Sequence, residues 1–143
     1  MNNLPPMPKM MDLVFLVKRN GGIRIGRFGF SILSFLLHAI APLLRKDYYN
    51  TACVLGIDAC LYMAIHMFLQ LVLNIDPAMT FDLSYFIGSI IWGFFYNNMY
   101  IAHLVKIGYK AVDKNSQSTI QKHHIKCEVT DLTSEEINRQ SPI

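Results

Sequence analysis

Residues 48–73 read YYNTACVLGIDACLYMAIHMFLQLVL, and this stretch decides the fold. Its 26 residues carry one formal charge, Asp58. About 20 residues of helix cross the hydrocarbon core of a bilayer, so the run is long enough to span. Asn74-Ile75-Asp76-Pro77 closes it, because the residue before a proline is pushed away from helical geometry. A second run, Leu83 to Val105, holds no formal charge between Asp82 and Lys106. A third, Phe28 to Leu44, is uncharged for 17 residues and ends at Arg45-Lys46-Asp47. It is short for a span.

Composition agrees. The chain has 143 residues, 52% of them hydrophobic and 16% charged, with a mean hydropathy of +0.29. Soluble domains carry roughly a quarter charged residues, and a small globule needs more polar cover than this chain offers. The same numbers exclude a disordered chain.

The basic residues choose between two topologies, since Lys and Arg beside a span favour the cytoplasmic side. Of 13 in all, five (Lys9, Lys18, Arg19, Arg24, Arg27) precede the first apolar run, Arg45 and Lys46 follow it, and six follow Val105. The 74–82 connection has none. Three spans would split them five against eight. Two spans, with 28–44 re-entrant or interfacial, put all 13 on one side. The expected fold is therefore mainly α and membrane-embedded. Two transmembrane helices, about 48–73 and 83–105, form an antiparallel hairpin with both termini cytoplasmic.

Outside the spans, residues 1–12 contain Pro5, Pro6 and Pro8 and read as an irregular leader. Leu13 to Lys18 and Ile23 to Arg27 favour strands, and Arg19-Asn20-Gly21-Gly22 suits a tight hairpin. Leu13 to Val17 is too short for a signal-peptide core. From Lys110 the chain turns polar and reads as a mobile tail, with Thr133 and Glu136 spaced as a capping box for a short helix.

Candidate functional residues lie in the apolar runs. Asp58, Tyr62, His66 and Gln70 recur every four residues and form one polar stripe. A carboxylate at the bilayer centre costs about 2.5–3.5 kcal/mol on insertion scales, so the stripe should face protein. Asn97, Asn98 and His103 are the expected partners. The stripe reads either as a hydrogen-bonded seam between helices or as an ion or proton path. Ser84, Gly88, Ser89 and Gly93 are small residues at spacings that let helix backbones approach in lipid, pointing to a homo-oligomer or an unidentified membrane partner. Tyr48, Tyr49, Tyr96, Tyr100 and Tyr109 sit where an aromatic belt forms.

Several chemistries find no motif. Cys53, Cys60 and Cys127 make no disulfide framework, and Cys53 and Cys60 share a helix face. His123, His124 and Cys127 fall short of the four ligands of a structural zinc site. His38 and His66 are isolated from further ligands. No phosphate loop, nucleophile elbow or HExxH is present, so neither a cofactor nor an enzyme is expected. The basic cluster Lys18, Arg19, Arg24 and Arg27, with Arg45 and Lys46, suits anionic lipid headgroups better than nucleic acid.

Three stretches resemble the HrgC-like group of small bacterial membrane proteins of unknown function: the hairpin followed by Gly29-Phe30-Ser31, then Pro42 to Tyr48 (PLLRKDY), then Phe95 to Ile101 (FYNNMYI) with His103-Leu104 and Gly108-Tyr109. The family usually has Trp where this chain has Ile32, and Gly where it has Lys46. The resemblance implies a bacterial inner-membrane protein and supplies no activity.

Overall fold

The computed structural model describes residues 12–139; the leader up to residue 11 lies outside the described residues. The chain is mainly helical, with a small three-stranded antiparallel sheet and two helices long and apolar enough to cross a membrane. It divides into two compact units, one made of 12–29 with 101–139 and the other of Phe30–Tyr100.

In the sheet unit, β1 (Leu13–Lys18) pairs antiparallel with β2 (Gly22–Arg27), Leu13 facing Arg27 and Lys18 facing Gly22. Asn20 and Gly22 take positive φ in the turn, the geometry that Asn and Gly tolerate. Gly26 is a close approach: a Cβ there would stand 2.8 Å from Ile101 Cγ1. β3 (Lys110–Ala111) adds to the other edge of β1, giving the order β2-β1-β3. The unbroken apolar run of β1 fits this central place. Val14, Leu16 and Val17 are fully buried, so both faces of the strand are covered.

The polar residues beyond Lys110 are part of this unit. α5 (Lys114–Lys122) is capped by Asp113, which accepts from Ser116 N–H at 2.8 Å. Ser116 Oγ accepts from Phe15 N–H at 3.1 Å, and the Phe28 and His123 rings stack at 3.8 Å. Ala111 and Ile120 are fully buried. The segment's high average polarity hid this: the buried residues of the nine-residue helix are Ser116 and Ile120. α6 (Ser134–Asn138) carries the expected capping box. The Thr133 N–H and hydroxyl bonded to Glu136 hold its carboxyl below the usual range.

The apolar run 28–44 starts in the sheet unit and, within the helical unit from Phe30, breaks into α1 (Ile32–Leu37) and α2 (Ile40–Leu44), parted at His38, whose φ is 44°. Ser31 caps α1 through Ser34 N–H. At 1.5 Å per residue, helices of six and five residues rise only about 9 and 8 Å, far short of a bilayer.

α3 (Tyr48–Leu71) is one helix of 24 residues, capped by Asp47. α4 spans Pro77–Lys106, 30 residues, beginning six residues before the expected Leu83. Pro77 is its first residue, where a missing N–H costs nothing, and Asp76 accepts from Ala78 N–H at 2.8 Å. Only 11% of the most apolar stretch of α3 is buried within the protein, and 33% of that of α4. Ile32, Leu36, Met63, Leu71 and Phe94 are exposed. Hydroxyls on α4 turn inward to their own backbone: Thr80 to Asp76 O at 2.8 Å, Ser84 to Thr80 O at 2.7 Å, Ser89 to Tyr85 O at 3.0 Å. Back-bonding of this kind satisfies a hydroxyl without water.

Candidate functional site

Asp58 stands in the middle of α3, and two side chains meet its carboxylate. Trp92 on α4 donates its indole N–H to Oδ1. His38, at the break between α1 and α2, places Nδ1 3.4 Å from Oδ2. The other imidazole nitrogen, Nε2, lies 2.7 Å from Ser89 Oγ, and the ring stacks on Tyr85 with centroids 4.4 Å apart. Tyr85 is fixed in turn by its hydroxyl, which donates to Leu36 O at 3.1 Å. The partners of Asp58 are thus His38 and Trp92, and not Asn97, Asn98 or His103. Tyr62, His66 and Gln70 follow Asp58 at about one, two and three helical turns along the stripe, and their surroundings differ. Tyr62 stacks on His66 and meets Phe81 edge-on, while His66 Nδ1 is buried without a hydrogen bond and Gln70 is half-buried.

The hydrogen bonds admit a neutral arrangement of the protons. With the Ser89 hydroxyl proton on Tyr85 O, Ser89 Oγ accepts from a protonated His38 Nε2. Asp58 Oδ1 accepts from Trp92. One further proton must lie between Nδ1 and Oδ2, since two bare lone pairs would repel. Whether it resides on the ring or on the carboxyl, the pair is neutral overall. The reverse arrangement, with Ser89 donating to an unprotonated Nε2, leaves one net negative charge on the pair among largely apolar neighbours, which desolvation disfavours. The neutral pair wins.

Ser89, His38 and Asp58 have the connectivity of a nucleophilic triad. Ser89 is only 3% exposed, however, and its Oγ does not reach the wall of the neighbouring cavity.

That cavity, about 350 Å³, is open on one side. Its polar lining is His38, Asp58, Tyr62, Ser84 and Tyr85, and the remainder is apolar.

The small residues of α4 are filled from within the chain. A Cβ at Gly88 would stand 3.1 Å from His38 Cε1, and one at Gly93 would enter the ring of Phe30. Ser31 N–H donates to Gly93 O at 2.7 Å. Gly88, Ser89 and Gly93 therefore seat the 30–38 segment, where the sequence pointed to a partner helix, while Ser84 lines the cavity.

Two of the basic residues read as facing lipid are turned to protein. Arg45 donates to Asn97 Oδ1 at 3.2 Å, and its guanidinium lies 5.3 and 5.1 Å from the Tyr96 and Tyr100 ring centroids. Lys18 donates to Ile107 O at 2.7 Å. Arg19, Arg27 and Lys46 are exposed, and Arg24 is half-buried. Asn98 is exposed, and His103 is half-buried in the sheet unit. Among the described residues no group of His, Cys, Asp or Glu is placed to hold a metal ion.

No family model, curated protein or solved structure matches the chain.

The sequence missed His38 and Trp92. A signal for His38 was present: a carboxylate within an apolar run needs a partner, and His38 is the only histidine in the apolar runs before Asp58. Trp92 offers no such signal, because an indole on an apolar helix reads as packing.

Proposed function

We propose that this chain is an integral membrane protein of the bacterial inner membrane. α3 and α4 cross as an antiparallel hairpin, residues 28–44 dip in from the side of the termini, and both termini are cytoplasmic. It works through helix association, with itself or with another membrane protein, and not through catalysis. The observation that carries this reading is the distribution of polarity. Outward faces of α3 and α4 are apolar and exposed, while the one carboxylate within the runs is turned inward and neutralised. Contacts between the helices run in reverse order, Asn50 to Met99, Asp58 to Trp92 and Tyr62 to Phe81, as a hairpin requires. The resemblance to HrgC-like proteins belongs to this reading and adds no activity to it.

With the α4 face filled, association falls to α3. Ala52, Gly56, Cys60 and Ala64 are exposed at four-residue spacing, and a Cβ at Gly56 would meet nothing within 4 Å. Small residues so spaced let a second helix approach closely.

Reporter fusions at Ala78 and Ser116 test the topology: opposite sides are expected, with 116 cytoplasmic, and a cytoplasmic signal at 78 overturns it. Cross-linking through Cys60, with Cys53 and Cys127 replaced, tests association. A dimer lost in Gly56→Leu is expected; no cross-link in native membranes defeats the idea.

A second reading, a small ion- or proton-conducting protein, is favoured by the shared proton of His38 and Asp58 beside an open cavity. Proton flux into liposomes, abolished by Asp58→Asn, is its expected result. Wild type without flux ends it.

A further inference from the structure

We propose that the cavity beside Asp58 binds a lipophilic organic cation in exchange for one proton. The chemistry of the lining sets the ligand class. Among the described residues Asp58 is the only formally charged one on the wall, its side chain is 24% exposed, and neither Lys nor Arg lines the space. Three aromatic rings, Tyr62, Phe81 and Tyr85, share the wall with it. A carboxylate among aromatic faces in an apolar space attracts a positive charge whose own surface is apolar, by ion pairing and by the ring quadrupoles together. A hydrated inorganic ion has no comparable match, because the rest of the lining offers it little to replace water.

The exchange follows from the proton accounting. With the cavity empty of charge, His38 Nε2 carries a proton that it donates to Ser89, a second proton lies between Nδ1 and Asp58 Oδ2, and Ser89 donates to Tyr85 O. When the cation enters, the Nε2 proton leaves the site. The remaining proton stays on Nδ1, facing an ionised Asp58. The Ser89 hydroxyl turns from Tyr85 O to Nε2, both of which it already reaches, at 3.0 and 2.7 Å. One positive charge enters, one proton departs, and the site remains neutral throughout. Besides the pair itself, His38 from the α1–α2 break and Asp58 from α3, the titratable groups around it are Tyr62 from α3 and Tyr85 from α4; Trp92 and Ser89 complete the surround.

The single tryptophan of the chain is Trp92, bonded to Asp58, so its fluorescence reports this site alone. The test uses the full chain in detergent, titrated with tetraphenylphosphonium. A saturable change in Trp92 emission is expected. Kd should fall tenfold per unit rise in pH where the site holds its exchangeable proton, with one proton released per cation bound. Tetraphenylborate, of the same shape and opposite charge, should not saturate. Asp58→Asn should abolish the response. Should that variant not fold, Ala39→Phe carries the test, since it fills the cavity from its wall and leaves the His38–Asp58 pair in place; at least a tenfold weaker Kd is expected. A pH-independent Kd, equal binding of the borate, or no saturable change in the wild type would overturn the proposal. The site is taken within the membrane-spanning reading, but binding in detergent and the reporter fusions fail separately, as do binding and liposome flux.

Discussion

Gly93 carries no side chain where the ring of Phe30 lies: a Cβ built there would stand 2.7 Å from Phe30 Cζ and closer still to Cε2. The same residue accepts a hydrogen bond from Ser31 N–H, so ring and backbone of one segment are seated on one turn of α4. Gly93→Ala should destabilise the helical unit by about 1–3 kcal/mol, the usual range for overpacking, read by unfolding in mixed detergent micelles. Adding Phe30→Ala should restore part of the loss. An unchanged midpoint in Gly93→Ala would show that Phe30 is not seated there.

This contact marks how far the sequence could be read. Small residues at 84, 88, 89 and 93 announced a close approach, and apolar run lengths announced two long helices. Neither says what makes the approach, because a glycine records only that something is near. The occupant, Phe30 to His38, lies in a run whose length alone favoured a single dipping segment. Its break at His38 depends on a positive φ that a histidine does not advertise. Likewise Asp58 demanded a partner, and its helical spacing suggested Tyr62, His66 and Gln70 on its own helix. Spacing along one helix cannot reveal a partner from another element, and Trp92 and His38 are both such partners. The segment after Lys110 teaches the converse. Its mean polarity described its surface well and concealed Ile120, a fully buried side chain on the docked face beside Ser116.

Arg45 is the basic residue whose surroundings depart most from a lipid-facing reading, with two tyrosine rings and an amide oxygen about its guanidinium. Lys keeps the charge and loses the flat surface that stacks on rings. Arg45→Lys should therefore cost about 1–2 kcal/mol of stability, measured in the same micelles, whereas Lys46→Arg, at an exposed position, should cost nothing measurable. Equal effects at the two positions would contradict the stacking.

Cys127 lies buried in the sheet unit, and loss of water around the thiol pushes its pKa above the ordinary value. The thiolate is the reacting form, so at any pH below that raised pKa less of it is present than in a free thiol. In a Cys53→Ser, Cys60→Ser background, maleimide labelling at pH 8 should be slower than for a free thiol, by about tenfold for each unit of the rise. Urea sufficient to open the sheet unit should restore the ordinary rate. Labelling at the free-thiol rate in the folded protein would mean that Cys127 is open to water.

The neutral pairing of His38 with Asp58 makes a prediction about coupling. His38→Leu strands a carboxylate whose remaining donor is the Trp92 indole, and Asp58→Leu strands an imidazole nitrogen. Each single change should cost about 1–3 kcal/mol, the price of leaving a buried polar group unsatisfied. Replacing both removes the need along with the partner, and apolar substitutes for a buried pair are often close to neutral. The double variant should thus be more stable than either single one, with a coupling of about 1–3 kcal/mol in the cycle. Side-chain exposures of 13% and 24% for His38 and Asp58 place the value toward the lower end, because partial contact with the surroundings screens the loss. A coupling near zero would mean that the two side chains meet without depending on each other, and the neutral-pair account of Asp58 would fall with it.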